Sequence, residues 1–390
     1  MEVFFSVAAS PDTPQEVRRQ VFEKYSEELA KLGVSLAERS DIAVIVVATG
    51  GSENEVLTSA RSFNVLLAWP EYNSLSAALE AASALREIGK FAKVVRLSRY
   101  GEPPRESLIR ALRLLNLMKA GVPRFGVVGT PNPWLVASNI FLATVERVEL
   151  EESLRALDVG AGAEDAKWLL ARASSSEYSE EQLRPMAAYA RALESLAKAK
   201  KWDGLTLGCW CFDKEAIRRM GWTPCISLAL LNELGVPASC EGDLRALYSM
   251  YILTKLSGRA GWMGNVNIAE GDLILLTHDG IPPIMAERYS ITKRMTGAPA
   301  AIKAEVSSGR PATLLRVSAD LKKALLLRAV TIELERIDAC ATQIGFKLLR
   351  GSADDVMRAA LGNHLAFVLD DVYEEAREYL EYMGAEVIPR

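Results

Sequence analysis

The chain is expected to be an α/β protein in which two Rossmann-like parallel α/β domains precede a mainly antiparallel, barrel-like β domain. Three features of the sequence carry that expectation. Strand and helix patterns alternate through the first third, breaker residues at Gly121-Val122-Pro123 separate that third from a second set of strands, and the last third holds strand patterns without long helices between them.

Taken in order, residues 12–32 are amphipathic, 42–48 and 64–68 are apolar runs, 75–88 reads as a helix and 92–97 as a strand. Apolar runs separated by helical patterns are the signature of a parallel sheet with crossover helices. A further helix ends near Lys119, and a first domain of residues 1–122 follows from the breakers there. The second domain, 123–258, is expected to hold a strand at 125–128, a polar helical stretch at about 150–200 and a strand at 204–210. A helix at 224–234, a strand entering Ser239-Cys240-Glu241 and a helix at 243–256 complete it. In the third, 259–390, residues 272–277, 311–317, 324–333 and 342–349 read as strands, and 372–383 as a closing helix.

Composition narrows the function. The chain has 390 residues, 49% hydrophobic and 25% charged, enough to bury large cores in two or three domains. Its formal charge of -4 leaves no broad basic surface for a phosphate backbone, which argues against nucleic acid as a partner. No stretch of about 18 uninterrupted apolar residues and no charged leader with an apolar core is present, so a cytoplasmic protein without a membrane partner is expected. The five cysteines, Cys209, Cys211, Cys225, Cys240 and Cys340, are an odd number without paired zinc spacing, and they read as small buried apolar residues.

Two loops follow strands in ways that suit ligands. Thr49-Gly50-Gly51-Ser52-Glu53 has backbone N–H groups for an anion or hydroxyl, or is a tight turn capped by Ser52. It matches neither nucleotide-binding glycine spacing. Gly129-Thr130-Pro131-Asn132-Pro133-Trp134 presents an aromatic and an amide where open α/β sheets bind ligands, or plugs a seam with its Trp. The only two histidines, His278 and His364, each border an apolar strand, and Glu241 ends one in Cys240-Glu241-Gly242-Asp243. Acidic and amide neighbours around imidazoles suit a hard cation, whereas an acid at the start of a helix is also favoured by the dipole alone, a reading that fits Asp243 better than Glu241.

Gly50-Gly51-Ser52-Glu53, Asn132-Pro133-Trp134-Leu135-Val136-Ala137-Ser138, Cys240-Glu241-Gly242-Asp243, Ala339-Cys340-Ala341-Thr342-Gln343 and Gly362-Asn363-His364, in this order, resemble the L-fucose isomerase family of the L-fucose/L-arabinose isomerase superfamily, especially its shorter archaeal-type members. The resemblance implies an aldose–ketose isomerase working through a metal-stabilised enediol. It implies a divalent metal, Mn²⁺ with Mg²⁺ or Co²⁺ as alternatives, held by a glutamate, an aspartate and a histidine. Glu241 and His364 match two of these, and Asn265 stands where the aspartate is expected, 24 residues beyond the glutamate. Glu241 and Asn265 are thereby the catalytic candidates, and Asn363 and His278 match sugar-contacting positions, with Trp134 and Trp69 as stacking candidates. A homo-oligomer, trimer or hexamer, is implied, with a neighbour's N-terminal domain covering the site and a monosaccharide as the small-molecule partner.

Asn265 is a departure from the pattern. An amide can offer an oxygen to a metal but cannot accept a proton at neutral pH. Either Asp243, Asp272 or Asp279 takes the second role, or Glu241 works alone, or the reaction differs. The competing expectation is a sugar-binding paralogue that lost its second catalytic carboxylate.

Overall fold

A computed structural model describes residues 1–208 and 220–389. The chain divides into two compact units, Met1–Gly121 and Val122–Arg390.

The first unit contains β1 (Glu2–Ala8), α1 (Gln15–Lys31), β2 (Ser35–Leu36), β3 (Ile42–Val47), α2 (Glu53–Ser59), β4 (Phe63–Ala68), α3 (Ser74–Glu87), β5 (Phe91–Arg96) and α4 (Arg105–Ala120). Its strands pair in parallel in the order β2-β1-β3-β4-β5, a doubly wound sheet. Every residue of β3, Ile-Ala-Val-Ile-Val-Val, is buried because helices cover both faces. On one face Val21, Tyr25 and Leu29 of α1 meet Leu108, Leu112 and Leu115 of α4, and on the other Val56 of α2 joins the alanines of α3.

In the second unit, β6 (Arg124–Val128), β7 (Thr144–Val148), α5 (Leu150–Leu154), α6 (Ala163–Arg172), β8 (Ser175–Ser176), α7 (Glu180–Lys200), β9 (Gly204–Leu207), α8 (Cys225–Glu233), β10 (Ala238–Ser239) and α9 (Leu244–Ser257) come first. Their parallel sheet has the order β10-β9-β6-β7. The polar stretch at 150–200 is thus not one helix. A turn held by Asp158 and the extended Ser175–Ser176 break it, and α7 starts anew on a capping box at Ser179 and Gln182.

The rest of the unit is β11 (Gly261–Glu270), β12 (Leu273–His278), β13 (Arg288–Thr292), β14 (Ala301–Glu305), β15 (Pro311–Val317), β16 (Lys323–Ile332), β17 (Thr342–Arg350), α10 (Ala353–Ala359), β18 (His364–Val368), α11 (Tyr373–Tyr382) and β19 (Glu386–Ile388). Six of these strands close an antiparallel barrel in the order β15-β18-β11-β12-β17-β16, with β16 returning to β15. Closure leaves no free edge among the six. Helix α9 packs against β18, β15 and β11, so the turn preceding it is carried to the barrel end where β18 begins. No helix among the described residues is long and apolar enough to cross a membrane. Cys225 and Cys240 are buried and Cys340 partly so, while Cys209 and Cys211 lie outside the described residues.

Candidate active site

Three structural elements of the second unit each deliver one side chain to a common point. Glu241 follows β10, His278 ends β12 and His364 starts β18, and one ligand-capable atom from each lies within 4.8 Å of the others. His278 and His364 are buried, with ring centroids 5.6 Å apart, and Glu241 is half-buried.

The turn that presents Glu241 is strained. Glu241 has φ +65° and Gly242 φ +81°, the left-handed region that costs a non-glycine residue of order 1–3 kcal/mol. A Cβ at residue 242 would come 2.5 Å from the Pro131 Cβ, so only glycine fits beneath the Asn-Pro-Trp loop. That loop in turn grips Glu241: the Asn132 N–H donates to the Glu241 carbonyl at 3.0 Å, and Trp134 Nε1–H donates to its Oε2 at 3.1 Å. Trp134 is 47% exposed, at the open side of the site together with exposed Asn363.

His364 is held by charge. Its Nδ1 lies 2.9 Å from Asp243 Oδ2, which also accepts from Arg316 Nη1 at 2.7 Å, and all three residues are buried. Asp243 Oδ1 accepts the Ala246 N–H, so the same carboxylate caps α9. Burial alone would raise the Asp243 carboxyl, but the Arg316 guanidinium and His364 outweigh it and hold the group well below the usual carboxylate range. His278 is held by main chain: its Nδ1 sits 2.9 Å from the Asp279 nitrogen and 3.0 Å from the Asp279 carbonyl oxygen. The Trp262 ring meets it edge-on, and its buried Nε2 has no hydrogen-bond partner among the described residues. Burial first, then the nearby His364, keep its pKa below the ordinary histidine value, which favours the neutral ring.

One carboxylate and two imidazoles form a donor set that first-row divalent metals accept, and the orphaned Nε2 of His278 is a polar atom that such an ion would satisfy. His278, expected from the resemblance to contact sugar, stands in this donor set. Asn265 lies opposite His364 in the β11–β18 ladder, and its Oδ1 accepts from Asn363 Nδ2 at 2.9 Å. Of the acids considered as a second base, Asp279 is bound by Arg294 at 2.8 Å and by the Ala341 N–H, and Asp272 is exposed beside Lys347. Asp243 is committed to Arg316 and His364. Glu241 is the carboxylate that shares a point with the two histidines.

In the first unit Trp69 is 1% exposed, stacked on Tyr25 at 6.0 Å and tilted against Tyr100 at 5.2 Å. The ring belongs to the hydrophobic core of the first unit and offers no face to a sugar. Ser52 does not cap α2 as expected; its hydroxyl donates to the Thr49 carbonyl at 2.7 Å. Sequence reasoning missed Arg316. The signal was a lone arginine inside the apolar run Pro311–Val317, which demands a buried counter-charge.

The chain is similar to proteins named sulfoquinovose isomerase. It is 24% identical to those of Priestia aryabhattai and Priestia megaterium over 305 residues, 70% of this chain and 66% of each relative. It is 25% identical to that of Alkalicoccus urumqiensis over 308 residues, 70% of this chain and 65% of the relative. The chain thus spans just under two thirds of the length of these curated relatives. No family model matches it.

Proposed function

We propose that the chain is a divalent-metal-dependent aldose–ketose isomerase of the L-fucose/L-arabinose isomerase type, acting on a free aldose, with the sulfoquinovose named for its relatives as the first substrate to test. The observation that carries this reading is the convergence of Glu241, His278 and His364 on one point at the barrel end. Likeness to proteins named isomerases favours the enzyme over the sugar-binding paralogue.

Glu241, His278 and His364 would hold the cation, Mn²⁺ or Co²⁺ in preference to Mg²⁺ because two of the three donors are imidazoles. Bound there, the cation supplies Lewis-acid stabilisation of the negative charge that develops on the sugar oxygens. Glu241 is the group that moves the proton between C2 and C1, and the Trp134 N–H keeps its carboxylate aimed. Asn363 and Asn265 offer neutral polar contacts to hydroxyls, which an isomerase requires for choosing among sugars. A homo-oligomer in which a neighbouring subunit closes the open side is part of this proposal, and light scattering at a multiple of 42.7 kDa is its test.

The deciding assay loads the purified chain with Mn²⁺, Co²⁺ or Mg²⁺ and screens aldoses with and without an anionic C6 group. Ketose formation that EDTA abolishes supports the reading. Sugar binding without conversion of any aldose favours the paralogue instead.

A further inference from the structure

The two imidazoles of the site are anchored in different ways. His278 leans on the main chain of its own neighbour, where one residue, Asp279, offers Nδ1 both its N–H and its carbonyl oxygen. That anchor accepts either neutral tautomer. The anchor of His364 does not.

Asp243 Oδ2 receives Arg316 Nη1 at 2.7 Å and faces His364 Nδ1 at 2.9 Å, with Oδ1 taken by the Ala246 N–H. An ionised carboxylate only accepts, so the proton of that bond sits on His364 Nδ1; the Asn363 Nδ2 amide, a donor, faces Nε2 at 3.5 Å, which places the lone pair there. Arg316 fixes the carboxylate and the approach to β18 together. Its Nε donates to the Leu361 carbonyl and its Nη2 to the Ala137 carbonyl, each at 3.2 Å. The chain passes over this guanidinium at Gly362, where φ is +140° and a Cβ would come 2.4 Å from Nη2. The next two residues are Asn363 and His364.

We propose that Asp243 and Arg316 are a positioning pair that locks His364 in the Nδ1–H tautomer and turns its bare Nε2 toward Glu241 and His278. In this arrangement His364 is a fixed lone-pair donor and carries no proton of the reaction, whereas His278 is free in tautomer. The role assigned to that lone pair, holding a cation, rests on the isomerase reading; the tautomer itself does not.

The test uses the full chain, metal-free and labelled with ¹⁵N-histidine, which gives two imidazoles in all. The ring that remains in His278→Gln identifies His364. Its ¹⁵N shifts are expected to show a protonated Nδ1 and a bare Nε2, in the wild type as in that variant. Asp243→Asn, which keeps the shape of the cap but loses the charge, is expected to mix the tautomers and to weaken Mn²⁺ binding by roughly 10–100-fold. A bare Nδ1 on His364 in the wild-type protein overturns the proposal, as does an Asp243→Asn protein with both tautomer and Mn²⁺ affinity unchanged. Should Asp243→Asn fail to fold, the wild-type spectrum alone decides. Absence of turnover on every aldose with Nδ1–H still present at His364 would defeat the isomerase reading and leave this assignment standing.

Discussion

Two strand-to-helix turns in this chain share a topology and differ in what they leave available. In the first unit, residues 48–53 lead from β3 into α2; in the second, residues 240–243 lead from β10 into α9. The first turn spends its polar groups on itself and its neighbours. Thr49 Oγ1 accepts the Ser10 N–H, Ser52 donates to the Thr49 carbonyl, the Gly50 N–H donates to the Tyr72 carbonyl, and Glu55 is taken by Arg18 and the Ala9 N–H. The second turn holds a strained Glu241 out toward two histidines and uses Asp243 to steady one of them. A loop after a parallel strand is an opportunity for chemistry, and here it is realised where a second sheet brings imidazoles to meet the loop.

The largest effect that would sharpen this contrast is at Glu241. Glu241→Ala is expected to lower kcat/KM on any accepted aldose by about 10²–10⁴-fold and to lose stoichiometric metal, both readable on purified protein. Retained turnover would put the chemistry elsewhere. Next comes Arg316→Met, which strands Asp243 as a buried unpaired charge and is expected to cost about 3–5 kcal/mol in denaturant unfolding. Gly242→Ala forces a Cβ into Pro131 and is expected to cost about 1–3 kcal/mol while displacing Glu241, so KM and metal affinity should worsen with stability. In the first turn, Thr49→Val removes one bond to the Ser10 N–H, and about 0.5–1.5 kcal/mol of stability should go without any change in turnover. A drop in turnover there would erase the distinction between the two turns.

The parallel sheets were legible because residues such as 42–48 and 64–68 are continuous apolar runs, a pattern that only two covered faces explain. β11 was not, since Gly261–Glu270 carries two glycines and three polar or charged residues after Gly264, and it becomes a strand through pairing with β12 on one side and β18 on the other. Glu241, His278 and His364 stood out as chemistry-bearing residues at strand ends, but their meeting is tertiary and depends on the barrel closing. Trp69 shows the opposite limit. The resemblance made it a sugar-stacking candidate, and the aromatic neighbours Tyr25 and Tyr100, distant in sequence, enclose it. Asp243 was legible as a helix cap and is one, yet its second oxygen serves His364.

The most direct test of the account follows sulfoquinovose in D₂O by NMR with chain stripped by EDTA and then reloaded with Mn²⁺ or Co²⁺, alongside His278→Ala and His364→Ala. Conversion to the ketose with solvent deuteron incorporated is expected only in the reloaded wild-type protein, with weakened metal binding in both variants. Equal conversion by the stripped wild-type protein, or full metal retention in both histidine variants, would contradict it.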